Sequence, residues 1–517
     1  MGDRVGDGYG ARTVQLLLTN ARVIDPESGL DARRNVGIGE GTITYVGTDI
    51  PPAGRTVDVG GHVVAPGFID LHSHAQTVNG LRLQALDGVT TSLDLEAGAM
   101  PVAAAYEAAV AEGRPINFGY STNWLRTRVS ELDGADLDQP GARLENGIGM
   151  AAQQATDHWA NPAEPVQVDW LLRRLEQGIR EGGIGIGVLV GYAPDSGRKE
   201  MLRMGRLAAG LNVPLFVHGR YAGTEDPQSG VEGALELIAV AAATGCAVHM
   251  CHINSTYARS IDLIGDAVRN AQDLGIRITT EAYPYTSSST SIGAAFLAPE
   301  ELGRRNVKPE SIRYLKTGER VADERRLAEL RAEDPGGTVV LDYLDPNNPD
   351  ELGMLHTCVT FPDAAVASDA MLLQVEGRKA GDDIENGWPL PAGAFAHPRS
   401  AGCFSRVIGH IARDLGLMSL HDALRRCTLV PATILADAVP AMRRKGRVQV
   451  GCDADLTVFD PDRILDQATF EEIRSSTGID HVIVGGEFVV RGGELLPEAM
   501  PGKPVRSEVA VSAPVPT

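Results

Sequence analysis

The sequence has few cysteines and no long apolar run. Six cysteines in 517 residues are too few for a disulfide framework, and no two have the CxxC spacing of a thiolate zinc site. No run of about 18 apolar residues predicts a transmembrane helix. The stretch MGDRVGDGYGARTVQ has no apolar core, so a secretory signal is not predicted. Together these absences predict a protein of a reducing, cytoplasmic compartment.

Positive charge and aromatic residues are also scarce. The chain has 47 Lys and Arg against 68 Asp and Glu, a formal net charge of −21, and aromatic residues make up 5%. Such a charge repels nucleic acid and anionic membranes, so neither is an expected partner. With 59 glycines the composition favours a tightly packed, turn-rich α/β structure.

Both ends of the chain consist of short apolar runs separated by turn residues. The runs lie at 14–18, 36–39, 42–46 and 62–64, and again at 446–448, 454–459, 480–486 and 488–490. This texture predicts strands. We therefore expect one small β-sandwich domain built from both termini, residues 1–65 and 441–517.

The middle of the chain, residues 66–440, alternates apolar runs with helix-like spacers. Strands are predicted at 67–72, 90–95, 116–121, 184–190, 215–218, 247–252, 276–281 and 364–369, and helices at 169–181, 200–209, 231–243, 260–272 and 323–332. Eight such strands favour an α/β fold of the (β/α)8 TIM-barrel type over a doubly wound sheet. Polar, loop-like insertions near 122–165 and 370–396 are expected at the rim, the second as a lid.

Histidines and carboxylates recur where predicted strands end, the end of a barrel that carries active sites. His72 and His74 follow the first strand and point the same way, because strand side chains alternate. The other candidates, each at the end of a separate strand, are Glu96, His218, His252 and Asp369. Asp94 is the alternative to Glu96. His249 is the alternative to His252, and we expect the two histidines, three residues apart, to face opposite sides of their strand.

These residue types suit a catalytic metal centre. Zn²⁺ binds imidazole nitrogen and carboxylate oxygen and keeps one position for water. We predict His72, His74, Glu96, His218 and His252 as ligands and Asp369 as the general base and acid. For each there is a plainer interpretation: surface histidines at 72 and 74, a core histidine at 218, a solvated acid at 96, a helix N-cap at 369.

Several motifs resemble a known family. APGFIDLHSH (65–74), GVTT (88–91) and GRVQVGCDADLTVFD (446–460) resemble the metal-dependent amidohydrolase superfamily. ITTEAYPYTSSST (278–290) and HPRSAGCFSRVIG (397–409) resemble its N-acyl-D-amino-acid deacylase (D-aminoacylase) branch. The resemblance implies hydrolysis of a linear amide of an N-acyl amino acid, with a D-configured substrate. It further implies that substrate is bound by Tyr192, Arg220, Tyr283, Ser288 and Arg399.

The chain departs from this branch at four places. Leu95-Glu96-Ala97-Gly98 stands where the branch has a cysteine ligand, and Asn254 replaces a lysine two residues after the strand-six histidine. His218-Gly219-Arg220 replaces an HMR-like triplet, and the fourth strand has no lysine for carbamylation. We therefore expect one tightly bound zinc ion and leave a second open. A cyclic-amide hydrolase of the hydantoinase or dihydroorotase type and a non-catalytic binding protein of the same fold are the alternatives.

Overall fold

The N-terminal segment forms five strands. The computed structural model describes residues 14–135, 158–375, 384 and 386–509. The strands are β1 (Val14–Asp25), β2 (Leu30–Gly39), β3 (Thr42–Gly47), β4 (Ala53–Asp58) and β5 (Val63–Pro66). Four were predicted; β4 was missed because its side chains are mostly exposed and lack the apolar alternation of a core strand.

A parallel eight-stranded sheet follows and confirms the predicted barrel. Its order around the sheet is the chain order, each strand pairing with the next in parallel. Its strands are β6 (Phe68–Asp70), β7 (Val89–Ala99), β8 (Asn117–Asn123), β9 (Ile186–Val188), β10 (Leu215–Val217), β11 (Val248–Met250), β12 (Ile278–Ala282) and, after an insertion, β16 (Ala365–Val366). Beyond the ends of β6 and β16, a parallel bridge between Ser73 and Ala370 brings the two edge strands together.

Helices connect the strands and cover the outside of this sheet. They span Val78–Leu86, Val102–Glu112, Trp124–Asp133, Pro165–Arg180, Arg198–Leu211, Gly230–Thr244, Ile253–Tyr257, Ile261–Asp273, Pro299–Leu302, Glu324–Glu333, Pro349–Val359, Arg399–Arg406, Leu420–Cys427 and Leu429–Leu435. The five predicted helices are all present. No helix in the described ranges combines the length and apolarity needed to cross a membrane.

Two insertions extend the barrel at its rim. The longer one, between β12 and β16, forms an antiparallel sheet of β13 (Ser287–Ser291), β14 (Ile312–Tyr314) and β15 (Thr338–Asp342). The sequence did not predict this sheet, because the serine-rich β13 has no apolar pattern. The second contains the pair β17 (Gln374–Val375) and β18 (Ala394–Phe395).

The prediction of a loop over residues 122–165 is partly wrong. Within 122–165, residues Trp124–Asp133 form a helix, and residues 136–157 lie outside the described part. In the second, residues 376–383 and 385 lie outside it, and Asn79 Nδ2 donates to the carbonyls of Ile384 and Gly387 (2.9 and 2.7 Å). Its role as a lid stays a prediction.

The chain ends in β19 (Leu456–Phe459), β20 (Ile479–Val484), β21 (Glu487–Arg491) and β22 (Glu494–Leu495). They join β1–β5 in one nine-stranded sheet, because β19 pairs antiparallel with β5. Both termini therefore build one β unit, as expected, and the domain boundaries near 65 and 440 stay predictions. The run at 446–448 is not a strand.

Candidate active site

His72 and His74 lie side by side just beyond β6. Their Nε2 atoms are 3.1 Å apart, and both side chains are buried. Two backbone hydrogen bonds join this segment to the residues that follow β16. Asp369 N donates to His72 O (2.7 Å), and His74 N donates to Ala370 O (2.8 Å). Closure of the barrel thus places Asp369 beside the histidine pair.

Two carboxylates orient these imidazoles. His72 Nδ1 donates to Glu281 Oε1 (2.5 Å), and His74 Nδ1 donates to Asp94 Oδ1 (3.2 Å). Because Nδ1 of each ring faces a carboxylate, the Nε2 atoms of both rings turn toward the same point. Burial opposes protonation, but Asp94 outweighs it and raises the pKa of His74 to about 9. The surrounding carboxylates therefore favour positive charge at this point.

Glu96 reaches this point through an irregularity in β7. The pairing of β7 with β8 passes from Asp94–Tyr120 to Ala99–Thr122, so residues 95–98 stand opposite Ser121 alone. This bulge carries the Glu96 side chain inward, where it is 3% exposed.

The Glu96 carboxylate stands between two groups of histidines. Oε2 lies 3.1 Å from His72 Nε2 and 3.5 Å from His74 Nε2. Oε1 lies 2.7 Å from His252 Nε2 and 3.1 Å from His218 Nδ1. Although burial alone would raise it, the neighbouring His72 and His252 hold the pKa of Glu96 well below its usual value. Asp94, the alternative, instead supports His74.

The expectation that His249 and His252 face opposite sides is wrong. His252 has φ of 30°, a left-handed conformation outside β11, which breaks the strand alternation. Both imidazoles consequently point inward: His252 contacts Glu96, and His249 Nε2 donates to Glu281 Oε2 (3.0 Å). His249 therefore bonds to Glu281, the carboxylate that also bonds to His72, and not to Glu96.

Asp369 completes the cluster. Its Oδ1 lies 3.5 Å from His72 Nε2 and 3.6 Å from His74 Nε2, and its Oδ2 lies 2.9 Å from Arg399 Nη2. Among the described residues, four groups of three have donor atoms within 4.8 Å of one another: His72, His74 and Glu96; Glu96, His218 and His252; His72, His252 and Asp369; and His72, Cys251 and Glu281. The first two share Glu96. Imidazole lone pairs around a shared carboxylate fit a divalent ion such as Zn²⁺, and this donor set gives each group three ligands.

Arg399 and Tyr283 lie next to Asp369. The Arg399 guanidinium lies over the Tyr283 ring, 4.6 Å from its centroid, and both residues are buried. Among the described residues, Arg399 Nε and Nη1 have no hydrogen-bond partner. A buried guanidinium with free donors is suited to a carboxylate ligand.

Tyr192 and Ser288 lie on the neighbouring wall. The Tyr192 ring is 5.0 Å from the His218 ring, and its hydroxyl bonds to Thr290 Oγ1 (2.7 Å). Ser288, two residues before Thr290 on β13, presents its side chain to the same face. The substrate-binding roles of both residues stay predictions.

Arg220 is placed differently from the expectation. Its Nε and Nη2 bond to Glu236 (2.7 and 2.8 Å), and Nη1 donates to the carbonyls of Pro194 and Ser196 (2.7 and 2.9 Å). With its donors occupied by protein groups, Arg220 supports the segment that follows Tyr192, and the structure gives it no contact with the cluster. Asn254 likewise bonds to Tyr343 Oη (2.7 Å) and to the backbone of Tyr283 (3.2 Å).

Arg305 was missed by the sequence analysis. It lies in a 3-10 turn (Gly303–Arg305) of the long insertion, with its guanidinium 4.7 Å from the Phe296 ring centroid. Phe296 stacks on His218 at 5.6 Å, so Arg305 faces the site across one aromatic ring. Among the described residues it has no carboxylate within 4 Å and no hydrogen-bond partner. Burial lowers the pKa of Arg305 to about 10, so it remains a cation at neutral pH.

The fold and the site define a TIM barrel with a histidine–carboxylate centre at the carboxyl ends of its strands. Residues 55–490 match the model of the amidohydrolase family, and the chain belongs to that family. It is 27% identical to an N-acyl-D-glutamate deacylase of Alcaligenes xylosoxydans xylosoxydans over 96% of this chain and 98% of the relative. It is 26% identical to the D-aminoacylase of the same organism, over 91% and 93%.

A solved structure shares the fold. The N-acyl-D-glutamate deacylase from Bordetella bronchiseptica, complexed with zinc and a phosphonate inhibitor, superposes with a TM-score of 0.70 at 23% identity. The match covers 96% of this chain and all of that one (100%). At this identity the likeness establishes the fold.

Proposed function

We propose that the protein is a metal-dependent hydrolase that cleaves the linear amide bond of N-acyl-D-amino acids, releasing a carboxylate and a free amine. The observation that carries this proposal is the pair of Nε2 atoms of His72 and His74, 3.1 Å apart and next to Glu96 and Asp369. The similarity to two deacylases along nearly the whole chain supports the D-amino-acid substrate.

His72, His74, Glu96, His218 and His252 would hold the ion. A Zn²⁺ ion held there would supply Lewis-acid chemistry, which polarises a scissile carbonyl and makes water more acidic. Asp369 Oδ1, which faces both His72 and His74, takes the proton from the attacking water and returns it to the leaving nitrogen. Glu96 directs one carboxylate oxygen to His72 and His74 and the other to His218 and His252. One or two ions could therefore bind, and metal analysis of the protein must give the number of ions per chain.

Arg399 would bind the α-carboxylate of the substrate. Its free Nε and Nη1 donors, next to Asp369, place that carboxylate close to the proton-transferring group. The Tyr283 ring supports the guanidinium, and Tyr192 and Ser288 would line the neighbouring wall. The ring of Tyr192 against His218 helps exclude water from the cluster.

Arg305 favours an acidic side chain on the substrate. The α-carboxylate already has Arg399, and a second unpaired cation across Phe296 suits a second carboxylate. A charge-assisted contact of this kind contributes about 1.5–3 kcal/mol, or roughly 10- to 150-fold in kcat/KM. We therefore propose N-acyl derivatives of D-glutamate or D-aspartate as the preferred substrates.

The substrate class is tested by a panel of N-acetyl amino acids. Wild-type protein loaded with zinc is assayed on D- and L-glutamate, D-glutamine and D-leucine derivatives. Arg305→Met is expected to lose about 10- to 150-fold in kcat/KM on the D-glutamate derivative only. An equal loss on all D-substrates would assign Arg305 to the α-carboxylate, and no loss would remove it from the site.

The cyclic-amide alternative has less support. Its carbamylated lysine would come from strand four, where β9 has the sequence Ile186-Gly187-Val188. The non-catalytic alternative conflicts with the retained imidazoles and Asp369. Hydantoin and dihydroorotate in the same assay, with the zinc content of the protein, distinguish all three. The cytoplasmic location and the oligomeric state stay open to experiment.

A further inference from the structure

A single buried carboxylate contacts two of the four proposed ligand histidines from behind. Glu281, at the end of β12, is 1% exposed. Its Oε1 accepts from His72 Nδ1 (2.5 Å) and from the backbone N–H of His252 (3.3 Å), and its Oε2 accepts from His249 Nε2 (3.0 Å). Three donors from two different parts of the barrel therefore converge on one side chain.

The contact with His72 determines which nitrogen faces the centre. An ionised carboxylate only accepts hydrogen bonds, so His72 must carry its proton on Nδ1. Nε2 is then left with a lone pair on the side of His74 and Glu96. The same arrangement raises the basicity of a ligand histidine in carboxylate–histidine–metal triads.

The contact with His252 holds an unfavourable backbone conformation. His252 has φ of 30°, a left-handed value that residues other than glycine rarely adopt. Its N–H would otherwise be buried without a partner in β11 or the following helix, and Glu281 Oε1 accepts it. This turn is what brings His252 Nε2 to within 2.7 Å of Glu96 Oε1.

His249 anchors the carboxylate. Its Nε2 donates to Glu281, and its Nδ1 lies 2.8 Å from Thr279 Oγ1, so both nitrogens are used inside the protein. His249, the alternative ligand in the sequence analysis, therefore supports the Glu281 carboxylate instead.

We propose that Glu281, anchored by His249, is a positioning residue that sets the affinity of the centre for its ion by fixing His72 and His252 together. The inference rests on the proposed function, because it assumes that these histidines bind a divalent ion. Second-sphere partners of this type typically contribute about 10- to 100-fold to metal affinity. Glu281 acts on two ligands, and its loss should fall in the upper part of that range.

The test measures cobalt binding to Glu281→Gln, which keeps the side-chain volume and removes the charge. Co²⁺ affinity is determined by competition with a chromophoric chelator, the visible Co²⁺ spectrum reports the coordination, and urea unfolding of the metal-free protein reports the fold. Glu200→Gln is the matched control. Glu200 is equally buried but bonds to Trp124 and Arg128, away from the cluster.

We expect Glu281→Gln to bind Co²⁺ about 10- to 100-fold more weakly than wild type with an altered spectrum, and Glu200→Gln to match wild type. Wild-type affinity and spectrum in folded Glu281→Gln would overturn the proposal. If that variant does not fold, His249→Gln is used. An affinity loss of several-fold supports the anchoring role, and an unchanged affinity overturns it. Wild-type protein that binds no divalent ion would instead overturn the proposed function.

Discussion

The backbone carbonyl of Glu96 lies directly against Gly187 of β9. A Cβ atom at Gly187 would fall inside the van der Waals distance of that carbonyl and 2.7 Å from Ser121 Oγ. The bulge of β7 that brings Glu96 inward therefore occupies the space that a side chain at position 187 of β9 would need. A side chain at position 187 and the inward bulge at Glu96 therefore exclude each other sterically.

Gly187→Ala should displace Glu96. The methyl group forces the bulge at 95–98 to move, because both nearest neighbours are backbone or short side chain. We expect a loss of at least about 10-fold in zinc affinity, the scale of a disturbed coordination shell. Gly210→Ala, in a helix with open space around the glycine, is the control and should bind zinc as wild type. Equal zinc affinity in both variants would contradict the steric account.

Glu96 itself is expected to be required for full metal occupancy. Glu96→Ala removes an oxygen from both groups of histidines, so zinc retained per chain after dialysis should fall. Glu96→Cys supplies a thiolate, another zinc ligand, and should retain more zinc than the alanine variant. Mass spectrometry of metal content after dialysis measures both. Wild-type zinc content in Glu96→Ala would remove this residue from the centre.

Asp369→Asn should separate metal binding from catalysis. The amide keeps the shape of the side chain but cannot take a proton, so kcat should fall at least about 100-fold while zinc content is retained. Asp363→Asn, at an exposed acid that precedes β16 and pairs with Arg425, is expected to keep full activity. Steady-state kinetics on N-acetyl-D-glutamate with parallel zinc analysis give the answer. Full activity of Asp369→Asn would end its assignment as general base.

Asp87 predicts a pH dependence of stability. Burial raises the pKa of Asp87 to about 6, and its carboxylate accepts from the backbone N–H groups of Phe404 and Ser405 and from Ser476 Oγ. Because the folded pKa lies above the unfolded value, the contribution of this group is present at low pH and is lost as pH rises to about 6. The raised pKa corresponds to about 3 kcal/mol.

Urea unfolding of metal-free wild type and Asp87→Asn from pH 4 to 7 checks this prediction. The free energy of unfolding of wild type, relative to the variant, should decrease as pH rises from about 4 to about 6 and then stay constant. Chelator in every sample removes the pH dependence of ion binding. A difference that does not change with pH would show that Asp87 does not hold its proton in the folded state.

The sequence predicted the barrel well because its strands are buried on both faces and read as apolar runs. All eight runs correspond to strands, displaced by a few residues at their ends, and histidines at strand ends predicted the cluster. Local pattern failed where backbone geometry changes the direction of a side chain. Side-chain alternation gave the wrong direction for His252 because that residue has a left-handed backbone conformation. The bulge at Glu96 cannot be predicted from the residue spacing in β7.

Other residues carried no local signal. Arg305 lies in a Gly-Arg-Arg turn that reads as a solvent-exposed loop, and only the fold shows that it faces Phe296 without an acidic partner. Glu281 is the fourth residue of β12, and its partners His72 and His249 are distant in the sequence and come together only in the fold. Arg220 follows the strand-five histidine in the sequence, yet its partner Glu236 on the next helix turns it away.

Release of free amine from N-acetyl-D-glutamate by zinc-loaded protein, before and after removal of the ion by a chelator, tests the central claim most directly. The account predicts hydrolysis of the D-enantiomer that is lost on chelation and restored by zinc, with the L-enantiomer left intact. Protein that holds zinc at the four histidines yet releases no amine from any N-acyl-D-amino acid would contradict it.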